Sequence, residues 1–336
     1  MKIDVIIPCY KAHKTLPRLL GSILSQTILE DLKITLVNDG DEKDYQEIIK
    51  PFKNFMDIQE LKLEKNSGPG TARRYGYENT NNPYVIWADA DDTFYGAFAL
   101  QELRYLIKNE NTSISVGNFL EEETVIINPE DIKIELHRND LIWIFGKLYK
   151  RAFLDKFDIK MNNTRSNEDN GFNTLCKILS SEVDKIQFVN NPVYLWHSTE
   201  NSITRIDNCD YTYNASFKGY VDNMLWVFEE LKRIEKTHNL EAFQERIIYE
   251  KIHILINLYS YYIETLGLEP KYAKQNLEHS KRYYNQVYKS IENEIPKEMF
   301  EMVWHEVIEG AFVENRFNNF IPAISIFDFL NQLKQK

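Results

Sequence analysis

Two aspartates one residue apart, Asp89 and Asp91, follow a short apolar run, Tyr84-Val85-Ile86-Trp87. Carboxylates set at the edge of a sheet in this way suit a hard divalent ion such as Mn²⁺ or Mg²⁺. Such an ion takes oxygen ligands and makes a bridged diphosphate a better leaving group. Taken alone, an Asp-x-Asp pair is more often just an acidic turn in solvent. Three further polar clusters close apolar runs in the same half of the chain: Pro8-Cys9-Tyr10, Asn38-Asp39-Gly40 and Asn66-Ser67-Gly68. A nucleotide-sugar site is one explanation that covers all four. Farther on, Glu168-Asp169 opens an apolar-periodic segment running to Leu179. These acids either stabilise a helix dipole or supply a general base. His197, at the end of an aromatic strand, is either a packed histidine or a contact to a metal or diphosphate. Gly68 and Gly70 either let a backbone approach closely or shape a helix start.

The elements that must position these residues follow from periodicity. Ile3–Ile7, Ile34–Val37, Ile58–Leu63 and Val85–Trp87 read as strands. They alternate with helical spacing over Leu16–Leu24, a segment around Ile48–Phe52, and Ala72–Glu78. That rhythm predicts βαβ units and a mostly parallel sheet, whose ligands bind at the carboxyl ends of the strands. From about Ser113 the pattern becomes mixed, with strand-like pieces at Ile114–Phe119, Thr124–Ile127, Ile186–Val189 and Val193–Trp196 and a helix after Asp169. Beyond Tyr211 it is helical, in segments near 214–236, 241–266, 270–291, 296–312 and 319–334, punctuated by Gly267, Pro270, Pro296 and Pro322. The expected organisation is an α/β domain over 1–208, divided into halves 1–112 and 113–208, and an all-helical region over 209–336.

Composition narrows the function classes. With 43% hydrophobic residues, 20 Tyr and 19 Phe, the chain has the profile of a folded protein. A formal net charge of −11 without a Lys/Arg-dense stripe disfavours duplex nucleic acid as a partner. Cys9, Cys176 and Cys209 are widely separated and fit a reducing compartment, the cytoplasm. The opening apolar run is broken by Asp4 and Pro8 and reads as a strand rather than an export signal. The stretch near Ile252–Ile263 falls well short of the ~20 residues that cross a bilayer, so no transmembrane segment is expected.

Over about residues 1–205 the chain resembles the inverting family 2 glycosyltransferases of GT-A fold. The motifs that carry the likeness are Val5-Ile6-Ile7-Pro8-Cys9-Tyr10-Lys11-Ala12, Leu19-Leu20-Gly21-Ser22-Ile23-Leu24-Ser25-Gln26-Thr27, Leu36-Val37-Asn38-Asp39-Gly40, and Asn66-Ser67-Gly68-Pro69-Gly70-Thr71-Ala72-Arg73-Arg74. Trp87-Ala88-Asp89-Ala90-Asp91-Asp92 stands where the family has its DXD motif. Lys147-Leu148, Glu168-Asp169, Tyr194-Leu195-Trp196-His197 and Asn201-Ser202-Ile203-Thr204 extend the match; beyond Arg205 it stops.

The resemblance implies a metal-dependent transfer of a sugar from a nucleoside-diphosphate sugar, preferably a UDP-sugar, to an acceptor hydroxyl. Pro8, Tyr10, Asp39, Asn66, Gly70, Arg73, Asp89, Ala90 and Asp91 would line the donor site. Within it, Tyr10 would stack on the pyrimidine and Asp39 accept from its ring N–H. Asp91 would be the principal ligand of Mn²⁺ or Mg²⁺, with His197 beside it, Asp89 would bind the ribose hydroxyls or approach the metal, Arg73 would neutralise the pyrophosphate or fix Asp89, and Asp169 would be the general base. Lys147 would face the acceptor, with Trp196 a weaker candidate for the site. The acceptor stays open among a glycan, a wall polymer, a lipid-linked sugar, a protein and a modified nucleobase. Two rivals remain. One is a non-catalytic nucleotide-sugar or carbohydrate-binding protein with a helical docking module. The other is a sugar-phosphate nucleotidyltransferase, which the glycine-free loop Pro8–Ala12 disfavours.

Overall fold

A computed structural model describes residues 1–124, 132–198, 210–313 and 324–335. The chain divides into two compact units, Met1–Ile206 and Asp207–Lys336.

In chain order the first unit carries β1 (Ile3–Cys9), α1 (Leu16–Leu24), β2 (Leu32–Asn38), α2 (Gln46–Ile49), β3 (Asp57–Lys62), α3 (Pro69–Glu78), β4 (Tyr84–Trp87), β5 (Thr93–Phe94) and α4 (Ala99–Ile107). It continues with β6 (Thr112–Thr124), β7 (Ile132–His137), β8 (Lys147–Lys150), α5 (Arg151–Lys156), α6 (Glu168–Leu179) and β9 (Lys185–Trp196). All nine strands join one sheet in the order β3-β2-β1-β4-β8-β6-β9-β5, with β7 paired to β6. The strands β3, β2, β1 and β4 are parallel, so their carboxyl ends share one edge. Past β4 the sheet is mixed: β8 is antiparallel to both β4 and β6, β9 is parallel to β6, and β5 is antiparallel to β9.

The strand β1 reads as a continuous apolar run because the structure buries nearly all of it. Its one acid, Asp4, accepts from Asn82 Nδ2 at 2.7 Å and Arg151 Nη2 at 3.1 Å, which offsets the cost of burying the charge. Helix α1 lays Leu16, Leu19, Leu20 and Ile23 on the sheet, with Pro17 in its first turn where no N–H is needed. Helix α3 comes closer still: a Cβ on Gly76 would stand 2.4 Å from Ile6 Cγ2, so only glycine allows this approach. That packing fixes the height of Arg73 above the sheet.

The sequence pieces Ile186–Val189 and Val193–Trp196 form a single strand. Asn190-Asn191-Pro192 has the composition of a turn, but register shifts near Asn118 take up the irregularity and β9 runs through. Of Thr124–Ile127, residues 125–127 lie outside the described residues, as do Asn201, Ser202, Ile203, Thr204, Arg205, Cys209 and Pro322.

In the second unit α7 (Phe217–Glu235), α8 (Gln244–Leu268), α9 (Pro270–Gln286), α10 (Lys297–Val313) and α11 (Ile326–Lys334) are all helical. Its interior is built from its own residues, Val221, Met224, Val227, Leu255, Ile256 and Leu258 among them. Tyr259, Tyr262, Tyr283 and Tyr284 are buried there as well. Among the described residues, no helix is long and apolar enough to cross a membrane.

Candidate active site

The strand-end clusters converge on the shared edge of β1, β2 and β4. Cys9 pairs with Asn38 in register, and Asp39 N–H donates to Cys9 O at 2.8 Å, so Tyr10 and Asp39 leave the sheet side by side. Pro8 lies within β1 and Tyr10 is exposed just past it. The loop beyond is pinned by Asp41, whose Oδ2 accepts from Lys11 N–H at 2.7 Å and from the Tyr45 hydroxyl. Asp39 is buried and spends both carboxylate oxygens on backbone: Oδ1 accepts from Ser67 N–H at 2.7 Å and Oδ2 from Gly68 N–H at 2.9 Å. It therefore ties the Asn66–Gly68 loop to the end of β2, with lone pairs left over for a further donor.

The Gly68-Pro69-Gly70 turn starts α3, and Gly68 sits at φ +91°. What approaches Gly70 is protein: a Cβ there would stand 2.2 Å from Asn162 O, 3.0 Å from Glu168 Cγ and 3.1 Å from Thr164 O. The segment before α6 thus lies on the donor loop, and Arg165 donates to Asn66 Oδ1 at 2.8 Å and to Asn66 O at 3.1 Å.

Arg73 is the hub. Buried one turn into α3, it donates through Nη2 to Asp89 Oδ1 at 2.6 Å and through Nη1 to Glu168 Oε1 at 2.5 Å. It joins the acid after β4 to the first residue of α6, 95 positions along the chain. Asp89 N–H donates to the Tyr194 hydroxyl at 2.9 Å, which anchors the acidic turn to β9. Ala90 is buried in that turn, and Asp91 O accepts from Arg18 Nη2 at 2.5 Å. Asp92 is buried and accepts from His197 N–H at 3.0 Å; burial and the charges of Asp91 and Asp89 hold its carboxyl well above the usual range.

Asp169 follows Asn167, which adopts the left-handed conformation at φ +58° just before α6 begins. Its Oδ1 accepts from Asn170 N–H at 2.8 Å. Burial first and the adjacent Glu168 carboxylate second push its pKa up to about 7, against the pull of Arg73. A carboxylate raised in this way is a stronger base than an ordinary aspartate.

His197 closes β9 beside Asp92. Its Nε2 is 2.9 Å from the Thr93 hydroxyl and its Nδ1 2.9 Å from Glu122 Oε2, so ligating a metal would require exchange of one of these contacts. Burial lowers its pKa. Lys147 does not face an acceptor surface: it is buried, and its Nζ donates to Trp143 O at 2.6 Å and Asp140 Oδ1 at 3.2 Å, holding the 140–145 loop. Trp196 packs with Trp143 and Phe145.

The donor chemistry at the acidic turn fits a hard cation. Among the described residues no group of three or more His, Cys, Asp or Glu side chains forms a ready-made metal cage. Mg²⁺ and Mn²⁺ bound with a nucleotide use one or two carboxylates plus phosphate and water oxygens, which Asp91 and Asp89 suffice to begin. The residues that sequence reading passed over as site members are Glu168, Arg18, Tyr194 and Arg165. Glu168 carried a signal as the neighbour of Asp169, and Tyr194 as part of the Tyr194-Leu195-Trp196-His197 motif; Arg18 and Arg165 carried none.

Residues 4–163 match the family model for glycosyl transferase family 2. The chain is 30% identical over 230 residues to the glycosyltransferase GlyA of Streptococcus pneumoniae serotype 4, spanning 61% of this chain and 32% of that protein. It is 26% identical over 203 residues to the poly(ribitol-phosphate) β-N-acetylglucosaminyltransferase TarP of Staphylococcus aureus strain N315, spanning 56% of this chain and 58% of TarP. The match thus spans about a third of GlyA and somewhat over half of TarP. Among solved structures, S. aureus TarS 1–349 in complex with UDP-GlcNAc superposes with a TM-score of 0.64 at 15% identity, over 94% of this chain and 92% of that one. That likeness bears on the fold. Residues 4–163 are a glycosyl transferase family 2 domain, carried on a chain of GT-A fold with a helical C-terminal region.

Proposed function

We propose that the chain is an inverting, metal-dependent glycosyltransferase that moves a hexosyl group from a UDP-sugar to an acceptor hydroxyl, with Asp169 as the general base. The observation that carries this reading is the Arg73 bridge. It joins the acidic turn that would hold a diphosphate to Glu168, the residue before Asp169 at the start of α6. In the reaction the acceptor hydroxyl gives its proton to Asp169 as its oxygen bonds to the anomeric carbon. The bond from that carbon to the diphosphate breaks with its electron pair leaving on the nucleotide, and attack opposite the leaving group inverts the centre.

Asp39 and Tyr10 are assigned to the uracil ring, the one as acceptor and the other by stacking. Asn66, Gly70 and Pro8 shape the wall around it. Asp91 with Asp89 is assigned to Mn²⁺ or Mg²⁺, with His197 held beside them by Glu122 and Thr93. The bound ion would supply charge neutralisation of the departing diphosphate. A uridine donor draws support from the ligand of the TarS complex, UDP-GlcNAc. The likeness to TarP, a poly(ribitol-phosphate) β-N-acetylglucosaminyltransferase, supports a polymer as the acceptor class without carrying over the charge of its repeat. The buried free thiols of Cys9 and Cys176 support work in the cytoplasm.

The test is donor hydrolysis by the intact chain, with UDP-, GDP- and TDP-sugars and Mn²⁺, read as released nucleoside diphosphate. UDP release that stops in Asp91→Ala and in excess chelator is the expected result. Full activity in chelator would remove the metal from the proposal.

A further inference from the structure

A groove lies on the β9–β5 margin of the sheet, away from the transfer site. It forms where β5 turns into α4, opposite the irregular stretch of β9, and holds about 290 Å³. Tyr95 and Phe98 flank it, 46% and 57% exposed. Its register places it well down the strand from His197: Tyr95 N–H donates to Val193 O, and Asn191 and Pro192 line the far side. Five to six strand residues separate that side from His197, about 15–20 Å at the usual rise.

The polar part of the groove is a preformed pair. Asn191 Nδ2 donates to both oxygens of Glu102, at 3.1 and 3.0 Å, across 89 residues of sequence. It leaves carboxylate lone pairs and an amide oxygen to meet hydroxyl groups. Among the described residues no lysine or arginine lines the groove, so an anionic ligand would meet Glu102 without compensation. The surface continues along α4: Phe98, Glu102 and Tyr105 follow i, i+4, i+7 spacing and share a face, with Tyr105 77% exposed. Phe98 and Tyr105 stand about 10 Å apart along the helix axis. Single exposed aromatics are ordinary on a protein surface. Three in a row around an acid–amide pair offer apolar ring faces and hydroxyl partners together, which is what a pyranose presents to be bound.

We propose that this groove holds a neutral glycan chain, a stretch of the acceptor polymer remote from the hydroxyl that is glycosylated. Naming the bound chain as acceptor rests on the transferase reading above; the binding itself does not. The occupant is a run of uncharged pyranose units, with one ring on Tyr95 or Phe98, its hydroxyls on Glu102 and Asn191, and the following units toward Tyr105. A polyol phosphate is disfavoured by the carboxylate.

The experiment is calorimetric titration of the intact chain with chitotetraose and with cellotetraose, in saturating UDP and Mn²⁺ so that the donor site is filled. At least one should bind, and Tyr95→Ala and Phe98→Ala should each weaken it about two- to tenfold while leaving UDP affinity and Tm unchanged. Tyr95→Leu and Phe98→Leu, which keep apolar bulk without a ring face, guard against a folding defect and should weaken binding similarly. Hexametaphosphate should not displace the sugar. No heat from either tetrasaccharide, binding that survives the aromatic substitutions, or displacement by the polyanion overturns the proposal. Failure of the wild type to turn over any UDP-sugar would strike the transferase reading and leave this titration readable.

Discussion

Asp169 is where a single atom separates catalysis from binding. Asp169→Asn keeps shape and hydrogen-bonding reach but cannot take the acceptor proton. Transfer should therefore fall about 10²–10⁴-fold with the donor Kd little changed; turnover near wild type would withdraw the base assignment. The environment adds a pH signature. Because the carboxyl is held at about 7, activity should rise with pH through that value. Glu168→Gln removes the neighbouring negative charge and frees Arg73 for Asp169, so both effects move the acid limb of the pH–rate profile to lower pH. The same raised pKa has a stability consequence. A folded-state pKa above the unfolded one means that the native protein binds more protons between about 4 and 7, so stability falls as pH rises through that window. Asp169→Asn, which never ionises, should be more stable to unfolding than wild type at pH 8, by on the order of 1–3 kcal/mol, with the gap closing toward pH 4. Denaturant titrations at the two pH values measure it.

At the scale of elements, what the sequence made legible was whatever is written locally. The strands β1, β2 and β4 are buried apolar runs and α1 has clean helical spacing, so the residue pattern by itself places the strand ends, and with them Tyr10, Asp39 and Asp89, on one edge. What stayed hidden depends on contacts between distant segments. Nothing near Arg73 signals that Glu168 will be its partner, and nothing near Lys147 signals burial among the carbonyls of the 140–145 loop. Likewise Asn190-Asn191-Pro192 has turn composition, and only the pairing of Val189 and Pro192 with β6 on either side of the irregularity keeps the strand continuous. The glycine turn shows the difference in kind. The motif was legible, but its close neighbour is the 162–164 backbone. Gly70→Ala should therefore push that segment off the donor loop. The overlap with Asn162 O involves backbone on both sides, so the expected cost is about 1–3 kcal/mol of stability, as for overpacking, with weaker UDP binding measured on the same sample. A variant that melts and binds as wild type would show that the segment before α6 yields freely. Asp39→Ala acts on the same loop from below: it strands two N–H groups and removes the proposed uracil acceptor. UDP affinity should drop by about 1.5–3 kcal/mol, and unchanged affinity by calorimetry would take Asp39 out of the donor site.

For the molecule as a whole, the division of the chain at residue 206 assigns every proposed donor-site and base residue to the first unit. That unit has its own nine-stranded sheet and its own buried core, from Ile3, Val5 and Ile7 through Leu148 to Tyr194. The ion pairs that organise the site, Arg73 with Asp89 and Arg73 with Glu168, are likewise internal to it. The helical unit buries its polar groups among its own helices, with Asn276 Nδ2 donating to Thr265 Oγ1 at 2.9 Å and Tyr283 OH to Lys251 O at 3.1 Å. Neither set of contacts depends on residues of the other unit. At about two hundred residues the first unit also lies within the size range in which a single core sustains a fold. A chain ending at Ile206 should therefore melt cooperatively and bind UDP in the presence of Mn²⁺ with a Kd within about threefold of the full chain, less than 1 kcal/mol in binding free energy. Circular dichroism melts and calorimetry on the two proteins side by side decide it. An unfolded or UDP-blind fragment would overturn the independence of the first unit.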